Sequence, residues 1–123
     1  DRLWADWSPG YDATEDLELL KPSLRDPANL AGALGYYRAT LGSTPPAPEL
    51  DVEQHATQQP TPQPTLYLHG ADDGCVGVAL AEGADAHLGP GSRVEIIEGA
   101  GHFLHLERPA EVNALIVTFL TEE

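Results

Sequence analysis

Two apolar, β-branched segments in the second half of the chain each end at a glycine and then present ionisable side chains. The first is Thr65–His69, which precedes Gly70 and two aspartates. The second is Arg93–Glu98, which precedes two closely spaced glycines and then His102. Short β-branched runs bounded by glycine favour buried strands, and the loops that follow such strands mount exposed functional groups on a rigid base. This pattern predicts two strands of an α/β fold.

The order of elements after residue 64 supports that fold class, because strands alternate with helices. A helix is expected near Val76–Leu88, although Gly83 weakens it, and Pro109 opens a last helix. The apolar residues of the last helix share one face, which we expect to pack on the sheet: Val112, Leu115, Ile116, Phe119 and Leu120. Alternating strands and helices imply parallel strands joined by right-handed crossovers. Two strands do not form a stable parallel sheet alone, so we expect further strands from another chain or a removed segment.

Composition and periodicity divide the chain into three segments. Residues 1–42 are expected to be helical, and Asp26 with the proline after it provides the N-cap and first position of a helix that continues through Leu41. Residues 43–64 contain six prolines among Thr and Gln. We expect them to form an extended connector without helix or central strand. Residues 65–123 form the α/β segment.

Charge and length exclude several classes of protein. Twenty acidic and six basic residues give a formal net charge of −14, which argues against binding to nucleic acid or to an anionic membrane surface. The lone Cys75 has no partner for an internal disulfide, which favours a cytoplasmic location, and we expect it to be a small buried hydrophobe. No apolar run reaches the ~18 residues of a membrane span. The chain has 123 residues, starts without Met, and is shorter than a large α/β domain, so we expect it to be part of something longer.

The two strand ends supply a candidate acid and a candidate base. His102 follows Gly99 and Gly101, which allow a tight exit from the strand. Asp73 lies three residues after the glycine of the first strand and is preferred over Asp72 as the partner carboxylate. Together they predict the acid and histidine of a nucleophile–acid–histidine triad whose nucleophile is missing. The alternative for His102 is a solvated loop residue.

The segment Gly101–Asn113, with the sequence GHFLHLERPAEVN, resembles the histidine loop and final helix of the α/β-hydrolase superfamily. Its pattern is G-H-x-x-x-x-E-x-P-x-E-V-N, and the H-G-x-x-D strand end before it resembles the acid loop of that family. The resemblance covers residues 65–123 and, more loosely, residues 1–42. It implies the C-terminal part of an α/β-hydrolase parallel sheet with flanking helices, preceded by the end of a helical cap.

A finer resemblance lies in Ala33–Arg38, ALGYYR, which is similar to the cap-helix motif of epoxide hydrolases. It implies that Tyr37 donates its phenolic proton to the epoxide oxygen. The alternative is that Tyr36 and Tyr37 only pack the cap. Four aromatic residues are candidates for contact with an apolar substrate: Trp4, Trp7, Tyr36 and Phe103. Epoxide hydrolases usually have tryptophan at the position of Phe103, so this chain departs from their pattern there.

The resemblance implies an epoxide hydrolase-like enzyme that acts on small apolar substrates. An aspartate outside this chain would open the epoxide to an ester, and His102, oriented by Asp73, would activate water to hydrolyse it. A serine esterase or lactonase, a haloalkane dehalogenase, and an inactive fragment or interaction module remain alternatives. The string Gly70–Gly74 fits the G-x-nucleophile-x-G pattern, but it stands where the acid loop belongs.

Expected partners are a small-molecule substrate and either the N-terminal half of the hydrolase, on another chain or a removed segment, or a second copy of the chain. Without the nucleophile, this chain alone is expected to be inactive. Neither a cofactor nor a metal is expected, because His102, His105 and Glu107 lie in a loop with no helix to align them and no cysteine partner.

Overall fold

A computed structural model describes residues 1–42, 47–57 and 59–122. The chain divides into two compact units, of which one combines Asp1–Tyr11 with Pro60–Glu123 and the other comprises Asp12–Gln59. Residues 1–42, expected from the sequence to be one cap segment, are therefore shared between the two units.

The unit that contains the chain ends is built on a parallel pair of strands. β1 covers Leu66–Gly70 and β2 covers Arg93–Ile97, with Gly70 opposite Ile97 at their common end. The strands lie within one residue of the expected positions. The backbone N–H groups of residues 71 and 72 donate to the carbonyl oxygens of residues 97 and 100, each at 2.9 Å. The loops that leave the two strands are therefore bonded directly to each other.

The helix expected near Val76–Leu88 is wrong. The structure has two single turns of 3-10 helix there, at Val78–Ala81 and Ala84–His87. Gly83 separates them with φ +74°, a left-handed conformation that does not continue a right-handed helix. Before these turns, the N–H of Val76 donates to the Asp73 side chain.

Three helices complete this unit: α1, Arg2–Trp7; α5, Leu104–Glu107; and α6, Pro109–Thr121. The predicted start of the last helix at Pro109 is confirmed, and α6 contacts β1. Val112 is buried, whereas Leu120 at the far end of the same stripe is 73% exposed. The apolar face of α6 is therefore only partly covered by this chain.

The other unit is helical, with α2 at Thr14–Leu24, α3 at Pro27–Leu41, a 3-10 turn at Pro48–Leu50 and α4 at Asp51–Ala56. The predicted helix α3, capped by Asp26, is confirmed. The expectation of a connector without helix is wrong for residues 48–56, where Pro48 opens a turn and no proline follows until residue 60. Residues 43–46 and 58 of that connector lie outside the described residues. No helix in the described ranges is long and apolar enough to cross a membrane.

Candidate active site

His102 and Asp73 are directly hydrogen-bonded across the ends of the two strands. Nδ1 of His102 lies 2.9 Å from Oδ2 of Asp73. Because a carboxylate only accepts, the proton of this bond belongs to Nδ1. The His102 side chain is 32% exposed and the Asp73 side chain only 6%. This arrangement orients a partly exposed imidazole through one nitrogen and leaves Nε2 as the nitrogen for proton transfer.

Asp73 uses its two carboxylate oxygens for different purposes. Oδ2 accepts from His102, while Oδ1 accepts the backbone N–H groups of Cys75 at 2.8 Å and Val76 at 2.9 Å. Burial acts to raise the pKa of Asp73, but the hydrogen bonds from Val76, His102 and Cys75 outweigh it, so the pKa lies below its ordinary value. Asp73 is therefore ionised at neutral pH. Asp72, the other candidate, is exposed.

A second histidine, His69 in β1, is hydrogen-bonded to the acid loop. The His69 side chain is 5% exposed, and its Nε2 donates to the carbonyl oxygen of Val76 at 2.8 Å. In the neutral ring Nδ1 then accepts from the hydroxyl of Tyr67, also at 2.8 Å. Nε2 of His69 lies 3.8 Å from Oδ2 of Asp73. His69 thereby closes the loop that carries the acid. It is the histidine of the H-G-x-x-D strand end, from which no such role was predicted.

The histidine loop is held by its backbone. The N–H of residue 101 donates to Oε2 of Glu107 at 2.8 Å, that of residue 102 to the carbonyl of Trp7 at 3.0 Å, and that of residue 103 to Oγ of Ser8 at 3.1 Å. The Trp7 carbonyl also accepts the N–H of Gly74 in the acid loop, at 3.1 Å. The end of α1 thus joins the two loops that carry the candidate acid and base.

Two of the four aromatic candidates, Trp7 and Phe103, lie against the imidazole, and a third, Trp4, stacks on Phe103. The ring of Trp7 meets that of His102 edge-on, with centroids 4.8 Å apart and planes at 71°. Phe103 stacks on Trp4 at 4.2 Å and lies 6.2 Å from Trp7. All three are partly exposed, so they form an apolar surface beside the histidine that solvent can reach.

Tyr36 and Tyr37 lie on α3, in the helical unit, and are 81% and 54% exposed. The role of Tyr37 in proton donation and that of Tyr36 in substrate contact stay predictions.

Cys75 was expected to be buried, and this is wrong, because it lies exposed at the end of the acid loop. Desolvation and the neighbouring charge of Asp73 raise the pKa of its thiol, which disfavours the nucleophilic thiolate. Within the described residues no group of three or more His, Cys, Asp or Glu side chains is arranged to hold a metal ion. The expectation that His105 and Glu107 lie in a loop is wrong, because both belong to the short helix α5. Glu107 binds Ser8 and the backbone of residue 101.

Sequence comparisons identify the family of the chain. Residues 1–115 match the profile of the alpha/beta hydrolase family, and the chain therefore belongs to that family. Within it, the chain is similar to epoxide hydrolase 4 of Homo sapiens, with 33% identity over 110 residues that cover 89% of this chain and 28% of the relative. Epoxide hydrolase 3 of Xenopus tropicalis is 33% identical over 94 residues, 76% of this chain and 23% of the relative.

A bacterial relative is less specific in name. The AB hydrolase superfamily protein YfhM of Bacillus subtilis is 26% identical over 116 residues, 94% of this chain and 37% of the relative. The chain thus spans well under half the length of these curated relatives. No solved structure matches it. The predicted superfamily, its epoxide hydrolase-like resemblance and the α/β fold class are confirmed.

Proposed function

We propose that Asp73 and His102 are the acid and the base of the triad of an epoxide hydrolase-like enzyme. The observation that carries this proposal is the 2.9 Å hydrogen bond from Nδ1 of His102 to an ionised, largely buried carboxylate. Such a bond fixes the tautomer in which Nε2 can accept a proton, and it stabilises the imidazolium that forms. The similarity to two epoxide hydrolases supports the substrate class.

In the proposed reaction an aspartate outside this chain attacks an epoxide carbon. The carbon–oxygen bond of the epoxide breaks, and the oxygen takes the phenolic proton of Tyr37, which leaves an ester on the enzyme and a tyrosinate. Nε2 of His102 removes a proton from water as the water attacks the ester carbonyl. Collapse of the tetrahedral intermediate releases a diol and the free aspartate, and the imidazolium loses its proton to solvent while the tyrosinate regains one from solvent.

The aromatic surface beside His102 suggests where a substrate would bind. Trp4, Trp7 and Phe103 present ring faces and edges but few polar atoms, so we propose that small apolar epoxides pack against them. The partner implied by this scheme is the portion of the hydrolase that carries the nucleophile, and the proposed location is the cytoplasm. The loop string Gly70–Gly74 has Asp72 at its centre. We propose that Asp72 is not the nucleophile, because its neighbour Asp73 accepts from His102, which assigns this stretch to the acid loop.

One variant separates aspartate chemistry from serine chemistry. We would purify the protein with any polypeptide that accompanies it, introduce His102→Gln, and add an aryl epoxide. An aspartate nucleophile needs no base for the first step, so the ester should accumulate in the variant, and the intact mass of the polypeptide that carries the aspartate should rise by the mass of the epoxide. A serine nucleophile depends on histidine for its own activation, so no adduct should form, and an esterase or lactonase would then be favoured.

Controls complete this test. His105→Gln removes an exposed imidazole from α5, three residues after His102, so full turnover should remain. Asp73→Asn should lower turnover by a factor on the order of 10⁴, as expected for the acid of a triad. A haloalkane that forms the same ester with release of halide would indicate a dehalogenase. Absence of both adduct and turnover with all these substrates would favour an inactive fragment or interaction module.

The 123-residue chain by itself should show no turnover. Hydrolysis of an epoxide or aryl ester by that chain, abolished by His102→Ala, would contradict the proposed position of the nucleophile outside it.

A further inference from the structure

A partly buried polar cluster outside the acid–base pair holds the histidine loop. It consists of Ser8, which is 1% exposed, and the side chain of Glu107. Oγ of Ser8 donates to Oε1 of Glu107 at 2.7 Å, although the two residues are 99 positions apart in the sequence. Oε2 of Glu107 accepts the N–H of Gly101 at 2.8 Å, and Oγ of Ser8 accepts the N–H of Phe103 at 3.1 Å. The two backbone groups that flank His102 are therefore bound by one connected pair of side chains.

The loop also lies in direct contact with this cluster. A Cβ atom on Gly101 would come within 2.6 Å of Cα of Ser8 and 2.9 Å of its Oγ, so no side chain fits between them. The imidazole of His102 is one-third exposed, so burial alone does not fix its position. Its alignment with Asp73 depends on the backbone of residues 101–103.

We propose that Glu107, acting through Ser8, is a positioning residue that sets the backbone of the histidine loop so that Nδ1 of His102 meets Asp73. The proposal rests on the proposed function for its catalytic consequence. A carboxylate suits the role because it is an acceptor at both oxygens, and here it faces two donors, the hydroxyl of Ser8 and the N–H of Gly101. Both would lose their partner if the carboxylate were removed.

Two substitutions at Glu107 separate positioning from packing. Glu107→Met keeps the approximate volume but offers neither donor a strong acceptor. Glu107→Gln keeps one oxygen for Gly101 and turns its amide towards the hydroxyl of Ser8, which can accept a second hydrogen bond. The measurement is NMR of the 123-residue chain at neutral pH: the ¹⁵N shifts of the His102 ring and the solvent exchange rate of its Nδ1 proton. Backbone amides of β1 and β2 report global opening in the same spectra.

Glu107→Met should accelerate exchange of the ring proton by about tenfold, a factor that corresponds to 1.4 kcal/mol. Glu107→Gln should have a clearly smaller effect, and the amides of β1 and β2 should be unchanged in both variants. Glu111→Gln is the matched control, because it removes a carboxylate from an exposed position in the first turn of α6 and should change neither rate. If Glu107→Met does not fold, Ser8→Ala carries the same expectation, since it removes the donor to Glu107 and the acceptor for Phe103.

Two results would overturn the proposal. One is an unchanged ring proton in folded Glu107→Met and Ser8→Ala. The other is equal acceleration of the ring proton and the strand amides, which would assign Glu107 to general stability. Because none of these readouts requires turnover, they remain valid if epoxide hydrolysis is never observed. In that case the proposed function would fail while the positioning role of Glu107 stood.

Discussion

The two units of this chain are stabilised by contacts of very different sequence range. In the helical unit, the hydrogen bonds that we describe for side chains link residues two to six apart, as between Asp26 and Ala28 or between Asn29 and Ser23. In the unit with the candidate site, such bonds reach across 29 residues between Asp73 and His102 and across 99 between Ser8 and Glu107. The site is therefore a product of tertiary structure, whereas the helices of the other unit follow from local sequence.

Burial shows the same difference. In the unit with the candidate site, three apolar residues are each exposed by 2% or less: Ile97, Ala100 and Val112. None of α2, α3 and α4 contains a buried residue, and Leu19 and Leu41 are exposed by 80% and 79%. Helices of this length are marginal without tertiary packing. Capping and helix propensity should therefore dominate the response of the helical unit to mutation, while close packing should dominate that of the site.

Glycine substitution provides the sharpest test of that comparison. A Cβ atom on Gly70 would clash with the backbone carbonyl oxygens of Gly101 and Ala100, which cannot move without parting the two loops. We expect Gly70→Ala to lower the free energy of unfolding by about 3 kcal/mol, at the upper end of the cost of overpacking. Urea denaturation followed by circular dichroism would measure this loss.

Gly32→Ala is the matched substitution in α3, where a Cβ atom meets nothing within 4 Å. It should raise the stability of the helix by about 0.5–1 kcal/mol, because glycine is a poor helix former. Equal effects of the two substitutions would show that the difference between the units has no energetic consequence.

The second prediction concerns the contribution of Asp73 to stability at acidic pH. The pKa of Asp73 lies below its ordinary value, so the stability that this carboxylate contributes is fully present above its unfolded pKa of about 3.9 and is lost as the pH falls through the folded value. Asp73→Asn should therefore lower stability most at neutral pH, by about 1–3 kcal/mol. Its difference from the natural chain should shrink on acidification. Unfolding in urea between neutral and acidic pH would measure both trends.

Asp12→Asn is the control for this prediction. The Thr14 hydroxyl and the Thr14 backbone N–H lower the pKa of Asp12 too, but the carboxylate is exposed and its bonds are local. We expect a much weaker dependence of its stability contribution on pH, since solvent screens an exposed charge. A change as large as that of Asp73→Asn would contradict the assignment of the acid response to the site.

The sequence predicts the structure correctly where local chemistry or the shared end of two parallel strands decides it. The Asp26–Pro27 pair predicted the start of α3, Pro109 predicted that of α6, and the two glycine-ended strands predicted the contact of Asp73 with His102. That contact was accessible because parallel strands bring their ends together.

The sequence does not predict the features that other contacts between distant residues decide. The helix expected after β1 is absent, and the residues after Asp73 form a loop in which two backbone N–H groups donate to Oδ1 of Asp73. Hydrophobic periodicity does not predict such bonds. Glu107 was visible within the G-H-x-x-x-x-E pattern, but its partner Ser8 lies 99 residues away, so spacing gave no reason to pair them.

The smallest predicted effect tests the local character of the helical unit. The side chain of Asp26 accepts the N–H of Ala28 at 2.8 Å and caps α3. Asp26→Ala should cost about 1 kcal/mol of helix stability, whereas Asp26→Ser keeps an acceptor and should cost little. Amide exchange should accelerate in the first turns of α3 and remain unchanged in β1 and β2, because the lost bond spans only two residues. An effect of Asp26→Ser equal to that of Asp26→Ala would attribute the stabilisation to the negative charge at the helix N-terminus rather than to the hydrogen bond.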